Sequence, residues 1–390
     1  MTDSKPMVLT RPCFDGEELK NFQECLDSGW VTQGPFVSRF EKLVAERHQT
    51  QYALATTSCT AALHLATQAL GLGPGDEVIV PSFTWVTSAH CAEYVGARPV
   101  FADVRADTFN LDPEAFAAAI TPRTRAVVVV HLFGQAAELD PILHNARKHS
   151  LHVIEDAACA IGTDYGGRPV GGWGQVGCFS FHPRKVVTTG EGGMVTTNDA
   201  ELARLVAIFR NHGHNGQRSP APAASKPYTM GCFDHLGFNL RLSDINACVG
   251  VAQMAKLDRL LAERQKLARH YRELLGKFEE LALPKLAPKC GHTYQSFVVR
   301  VVQGGMSLRN WLMDHLAERR IQTRPGTHAA HRLDYYRDKY QIHEGQFPVA
   351  AASEDTTMTL PMFPAMTEAD QVRVATSLEE ALVKTKKAAA

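Results

Sequence analysis

Short runs of aliphatic and β-branched residues alternate with segments of helical period through the first half of the chain, and this alternation limits the fold more than any other feature. The runs are 52–55, 77–80, 99–102, 126–131, 152–156, 177–181 and 193–197. Between them, 60–70, 84–94, 113–120, 141–150 and 200–210 have helical spacing. Parallel neighbours in a sheet need long crossovers, which helices supply. The pattern therefore predicts an α/β domain on one mostly parallel sheet of seven strands. Residues 127–130 and 153–154 are apolar at every position, as strands covered on both faces require.

From Ser243 an amphipathic pattern runs to about residue 278, with Leu257, Leu260, Leu261, Leu267, Tyr271 and Leu275 at helical spacing. It predicts a long helix bridging two domains. A strand over 294–302, a helix over 308–318, a short strand over 321–324 and a last helix from Thr367 predict a small α+β domain. The expected division is a large domain over 1–264 and a small one over 265–390. Residues 215–228, rich in Pro, Ala and Ser and without period, predict a mobile surface loop.

Composition narrows the function. Lys plus Arg balances Asp plus Glu at 41 each, so no net field exists to hold nucleic acid or an anionic membrane, and phosphates must be bound locally. The N-terminal residues lack the apolar run of a secretion signal and no stretch reaches the length of a membrane span, which predicts a cytoplasmic protein. Nine cysteines without a CxxC pair predict reduced thiols and no metal site.

Four features mark candidate chemistry. Lys185 follows the strand 177–181 by a polar turn, which sets an amine at the sheet rim where open α/β sheets bind ligands. Such a lysine can form a Schiff base once its charge is shifted, although a lysine after a strand is more often a solvated surface charge. Asp156 ends the strand 152–156, where a carboxylate can keep the pyridine nitrogen of pyridoxal phosphate protonated or, equally, cap a helix. Thr56-Thr-Ser-Cys-Thr60 opens a helix with hydroxyl residues, a phosphate seat or an ordinary N-cap. Trp85 follows another strand end and can cover a planar ring or fill the core.

Together with several longer blocks, these residues resemble the DegT/DnrJ-type sugar aminotransferases, which share the type I fold of the aspartate aminotransferase superfamily. The blocks are SGWVTQG at 28–34, GPGDEVIVP at 73–81, VHLFG at 130–134, EDAA at 155–158, GEGG at 190–193 and GFNLRL at 237–242. The resemblance implies pyridoxal 5′-phosphate as cofactor, held as a Schiff base on Lys185, with Asp156 facing its pyridine nitrogen. It places Thr60, Ala61 and Ser180 on the phosphate, Trp85 on the ring and Cys159 near the ring hydroxyl. Asn239 falls on an asparagine that reaches the phosphate from the neighbouring subunit, implying a homodimer with shared sites. Two positions depart from the family. Cys59 stands where glycine is usual, and Cys159 where glutamine, histidine or glutamate is common.

The resemblance further implies glutamate as amino donor and a nucleotide-linked keto sugar as acceptor. TTGEGGM at 188–194 and IQTRPGTH at 321–328 look most like the perosamine synthases, which act on a GDP-linked 4-keto-6-deoxymannose. SFHP at 180–183 also looks like enzymes that use UDP sugars. His328 is a candidate contact for the sugar or its diphosphate, or a surface histidine. Three other classes compete. A deoxysugar dehydratase of this fold replaces the lysine with histidine or adds clustered cysteines, and a non-catalytic relative that only binds the cofactor loses the lysine or the aspartate. A nicotinamide oxidoreductase needs GxGxxG, which GLGPGD at 71–76 fails. Lys185, Asp156 and the scattered cysteines speak against the first two, and the missing last glycine against the third.

Overall fold

The computed structural model describes residues 5–219, 228 and 230–389. The seven expected runs are strands of a single sheet: β1 (Tyr52–Thr56), β2 (Glu77–Pro81), β3 (Arg98–Ala102), β4 (Thr124–Val130), β5 (His152–Asp156), β6 (Val176–Ser180) and β7 (Gly193–Thr197). Their order is β1-β7-β6-β5-β4-β2-β3. Neighbours from β6 to β3 are parallel, and β7 alone runs against both of its neighbours. The carboxyl ends of six strands therefore share one rim, beside the first residue of β7.

Alternation along β4 explains why this sheet is covered on both sides. Val127 and Val129 enter one apolar cluster, with Phe40, Phe179 and Leu260. Val128 and Val130 enter the other, with Leu63, Val78 and Val195. Successive side chains of a strand point to opposite faces, so four consecutive valines serve two cores. Each buried valine contributes about 1.5–3 kcal/mol.

The bridging pattern resolves into two helices, Asp244–Ala255 and Leu257–Leu275, broken at Lys256. Lys256 is itself buried, with Nζ 2.6 Å from both Asp15 and Glu18, which ties the break to the N-terminal segment. The second helix packs Leu267, Tyr271 and Leu275 into a third cluster with Phe297, Leu312 and Leu378. That cluster lies under a three-stranded sheet of Leu281–Ala282, Phe297–Val301 and Thr357–Leu360 and the helices Gly305–Glu318 and Glu368–Ala389. Met7 joins it too, while Ala330, Tyr336 and Ala350 pack with the large sheet, so both ends of the proposed division at 264/265 exchange residues. Among the described residues, no helix is long and apolar enough to cross a membrane.

Three expectations need correction. Residues 321–324 form no strand: Ile321 bridges to Met7 and Arg324 to Thr359, and Pro325, which lacks an N–H, stops the ladder. The helix expected from 84 begins at Thr87, because Phe83–Thr84 pairs with His328–Ala329. The expected loop at 215–228 begins inside the strand His214–Ser219, which pairs with Met230–Phe233, and residues 220–227 lie outside the described ones. The helices Glu17–Asp27 and Pro35–His48 were not expected at all.

Candidate active site

Strand register builds the site. Gly193 of β7 lies opposite both Thr56 of β1 and Ser180 of β6, Cys178 lies opposite Asp156, and Asp156 opposite Val130. A cavity of about 810 Å³ opens at this rim, lined by Thr60, Trp85, Asp156, Cys159, Ser180, Lys185 and His328 among others. Strand pairing thereby brings Thr56 and Gly193, far apart in sequence, to one rim.

At the floor, the Asp156 carboxylate is buried and oriented from two sides. Ser88 donates to Oδ2 at 2.6 Å and the Ala158 N–H to Oδ1 at 3.1 Å, while Thr84 and Ser88 share a hydroxyl bond of 2.9 Å. Sequence reasoning missed Ser88 and Thr84. Their spacing of four is a helical signal, but the helix starts only at Thr87. Neighbouring Glu155 is fully buried and points to the opposite side. It accepts from the N–H groups of Gly171, Trp173 and Gly174 at 2.7, 2.7 and 2.8 Å, and from His131 Nε2 at 3.1 Å. Ala137 donates to His131 Nδ1, which fixes the tautomer that can donate to Glu155.

Lys185 sits on a closed turn. Its N–H donates to the His182 carbonyl at 2.8 Å, the Arg184 N–H to His182 Nδ1 at 3.2 Å, and Gln295 of the C-terminal half donates to the Arg184 carbonyl at 2.7 Å. Lys185 Nζ donates to Cys159 Sγ at 3.1 Å. Burial lowers the His182 pKa; the Glu191 charge opposes this, and the Lys185, Arg184 and Arg324 charges add to it. The Cys59 thiol is raised far above its usual range, first by burial and then by the Asp156 charge, and is inert as a nucleophile.

An anion seat lies where β1 turns into the helix Cys59–Ala69. Ser58 is the N-cap, its Oγ accepting from Ala61 N–H, so Ala61 is engaged within the cap and does not line the cavity, whereas Ser58, Cys59 and Thr60 do. A Cβ on Gly193 would meet the Ser58 carbonyl at 2.4 Å and Cys59 N at 2.6 Å. Only glycine lets β7 approach this helix start, which gives the GEGG block a physical reason. Trp85 projects into the cavity with its ring 5.6 Å from that of His328, and His328 Nδ1 is 3.7 Å from Glu354. Asn239 is exposed, bridges to Asn211 and lies outside this chain's own cavity.

A lysine, a fixed carboxylate, a helix start and an exposed aromatic face around one cavity fit a phosphorylated pyridine aldehyde. The model of the DegT/DnrJ/EryC1/StrS aminotransferase family matches residues 12–379. The chain belongs to this family. GDP-perosamine synthase of Caulobacter vibrioides is 38% identical over 385 residues, which are 98% of this chain and 100% of the relative. The DesV structure from S. venezuelae, in complex with ketimine intermediate, is 33% identical with a TM-score of 0.86, covering 97% of this chain and 98% of that one. Spr1654 from Streptococcus pneumoniae, in its PMP form, is 25% identical with a TM-score of 0.92, covering 98% and 100%. Its PLP form has a TM-score of 0.91. As a DegT/DnrJ/EryC1/StrS enzyme, the protein is a pyridoxal-phosphate-dependent sugar aminotransferase. When bound, the cofactor supplies an electron sink and a carbon that accepts and gives up an amino group.

Proposed function

We propose that this aminotransferase moves an amino group from glutamate to a nucleotide-linked 4-keto-6-deoxyhexose, as a homodimer with shared active sites. The observation that carries the reading is the 38% identity to a GDP-perosamine synthase over 98% of the chain, together with an intact Lys185 and Asp156 facing one cavity. In this reading Lys185 holds the cofactor at rest. Its Nζ, when free, would take a proton from the donor α-carbon and deliver one to the sugar carbon. Asp156, held by Ser88 and the Ala158 N–H, would face the pyridine nitrogen of the bound cofactor. Ser58, Thr60 and Ser180 receive the phosphate, with Ala61 shaping the cap, and Trp85 covers the ring. Cys159 stays beside Lys185 near the ring hydroxyl, and His328 faces the sugar. Asn239, exposed on its own chain, completes the phosphate site of the partner.

The test is mass spectrometry of products from glutamate and a panel of GDP-, dTDP- and UDP-linked 4-keto-6-deoxyhexoses. Amino sugar from the GDP-linked substrate is expected. Product from no member of the panel contradicts the nucleotide-sugar assignment.

A further inference from the structure

Two nucleophiles touch inside the cavity, and the proposed function uses only the amine. Cys159 Sγ accepts from Lys185 Nζ at 3.1 Å, and both residues line the cavity. Cys13, Cys159 and Cys232 are partly exposed, while the other cysteines are buried. Of those three, Cys159 alone lines this cavity. The second cavity cysteine, Cys59, is buried, and its thiol is held far above the usual range, first by burial and then by the Asp156 charge. A small oxidant entering the cavity therefore meets one accessible sulfur, with an amine already in contact.

The two side chains meet from fixed backbones. Ala158 N–H donates to Asp156 Oδ1 at 3.1 Å and Ala160 N–H to the Ala157 carbonyl at 2.8 Å, which closes the turn carrying Cys159. Gly134 packs against that turn so closely that a Cβ there would meet the Cys159 carbonyl at 3.1 Å. On the facing side, Lys185 N–H donates to the His182 carbonyl at 2.8 Å, and Gln295 holds the Arg184 carbonyl at 2.7 Å. Sulfur and nitrogen are thus kept together whatever else occupies the cavity.

We propose that Cys159 and Lys185 form a peroxide-sensitive pair, in which an oxidised Cys159 sulfur captures the Lys185 amine whenever the cofactor does not hold it. The inference rests on the reading of Lys185 as the attachment point of the cofactor. In the first step Sγ attacks hydrogen peroxide: an S–O bond forms, the O–O bond breaks, and the departing oxygen leaves as water with a proton of the thiol–amine pair. Sulfur loses two electrons to the peroxide and becomes a sulfenic acid. In the second step the Nζ lone pair attacks that sulfur, an S–N bond forms, and the S–O bond breaks to release water with a proton from the amine. No further oxidant is consumed. A dithiol reverses the change: one sulfur attacks Sγ and expels the amine, which takes up its proton, and the other closes the reagent's own disulfide and frees the thiol. Cofactor on Lys185 occupies the nitrogen and blocks the second step, so the resting enzyme is spared and the form with a free lysine is captured.

The test adds hydrogen peroxide to the resting cofactor-loaded enzyme, to the loaded enzyme with L-glutamate, and to enzyme stripped of cofactor with hydroxylamine. After catalase removes the peroxide, each sample is alkylated, digested and mapped by mass spectrometry, and part of the stripped sample is offered pyridoxal phosphate. The stripped and glutamate-treated samples should yield the Cys159 and Lys185 peptides joined, lighter by two hydrogens than their sum, and the resting enzyme should yield little of this pair. Stripped, oxidised protein should develop no visible cofactor band until dithiothreitol is added. Cys159→Ser should take up cofactor equally before and after peroxide. Stripped protein in which Cys159 stays a thiol, or goes on to sulfinic acid without joining Lys185, overturns the inference. So does equal peroxide sensitivity in Cys159→Ser, or an abundant joined pair in the resting enzyme. A joined pair that leaves cofactor uptake unchanged overturns the blocking role and counts against Lys185 as the attachment point. A joined pair in the stripped sample alone, with a cofactor band that glutamate does not move, supports the inference and counts against glutamate as donor.

Discussion

Glu155→Gln replaces one oxygen of a fully buried carboxylate with an NH₂ group, and the structure sets what this costs. Oε1 accepts from Trp173 and Gly174, and Oε2 from Gly171 and His131. The amide can satisfy one pair of donors, but its nitrogen then faces the other pair. His131 cannot relieve the clash by switching tautomer without losing the Ala137 N–H on Nδ1. Two hydrogen bonds to a charged acceptor are lost at about 1.5–3 kcal/mol each, so stability should fall by about 3–6 kcal/mol. Urea unfolding of the cofactor-free protein at pH 7, followed by tryptophan fluorescence and circular dichroism together, measures this. A loss below about 1 kcal/mol with an unchanged denaturant slope would refute the reasoning, because it would mean the four donors find other partners.

The same carboxylate links stability to pH. Burial alone would raise the Glu155 pKa, but the hydrogen bonds from His131 and from the Gly174 and Gly171 N–H groups outweigh it and leave the pKa below the ordinary 4.5. A depressed folded pKa gives stability that is present above 4.5 and lost as pH falls through the folded value, so the gap between wild type and Glu155→Gln should narrow below pH 4.5; a gap that widens on acidification contradicts the assignment. Ser88→Ala removes the 2.6 Å bond to Asp156 and should weaken cofactor affinity about ten-fold or more, read by equilibrium dialysis; an unchanged dissociation constant would show that Ala158 alone orients the carboxylate. Asn239→Ala should reduce cofactor retention, and mixed dimers of Asn239→Ala with Lys185→Ala chains should regain activity at one site per dimer. Failure of those mixed dimers to recover any activity contradicts the cross-subunit role.

How much could be read in advance depended on whether a signal was local. The large sheet was legible because its strands are continuous apolar runs, as the valines of β4 show by feeding two cores at once. Lys185, Asp156 and Thr60 were expected at one rim because each lies at or a few residues beyond the carboxyl end of a strand. Features made by contacts between distant segments were not. The helix Pro35–His48 is anchored by Asp244, which accepts from the Gly34, Phe36 and Val37 N–H groups, and a local window does not contain that partner. Ser88 as the orienting group of Asp156 and Cys159 beside Lys185 likewise emerge only when chain segments meet.

The central claim is that Lys185 is the residue to which the cofactor is attached. Reduction of the cofactor-loaded protein with borohydride, followed by proteolysis and mass mapping, reads the attachment point directly. The account predicts one phosphopyridoxyl adduct, on the peptide containing Lys185, and none after prior incubation with glutamate, which frees the lysine. An adduct on any other lysine, or on none with cofactor demonstrably bound, would contradict it.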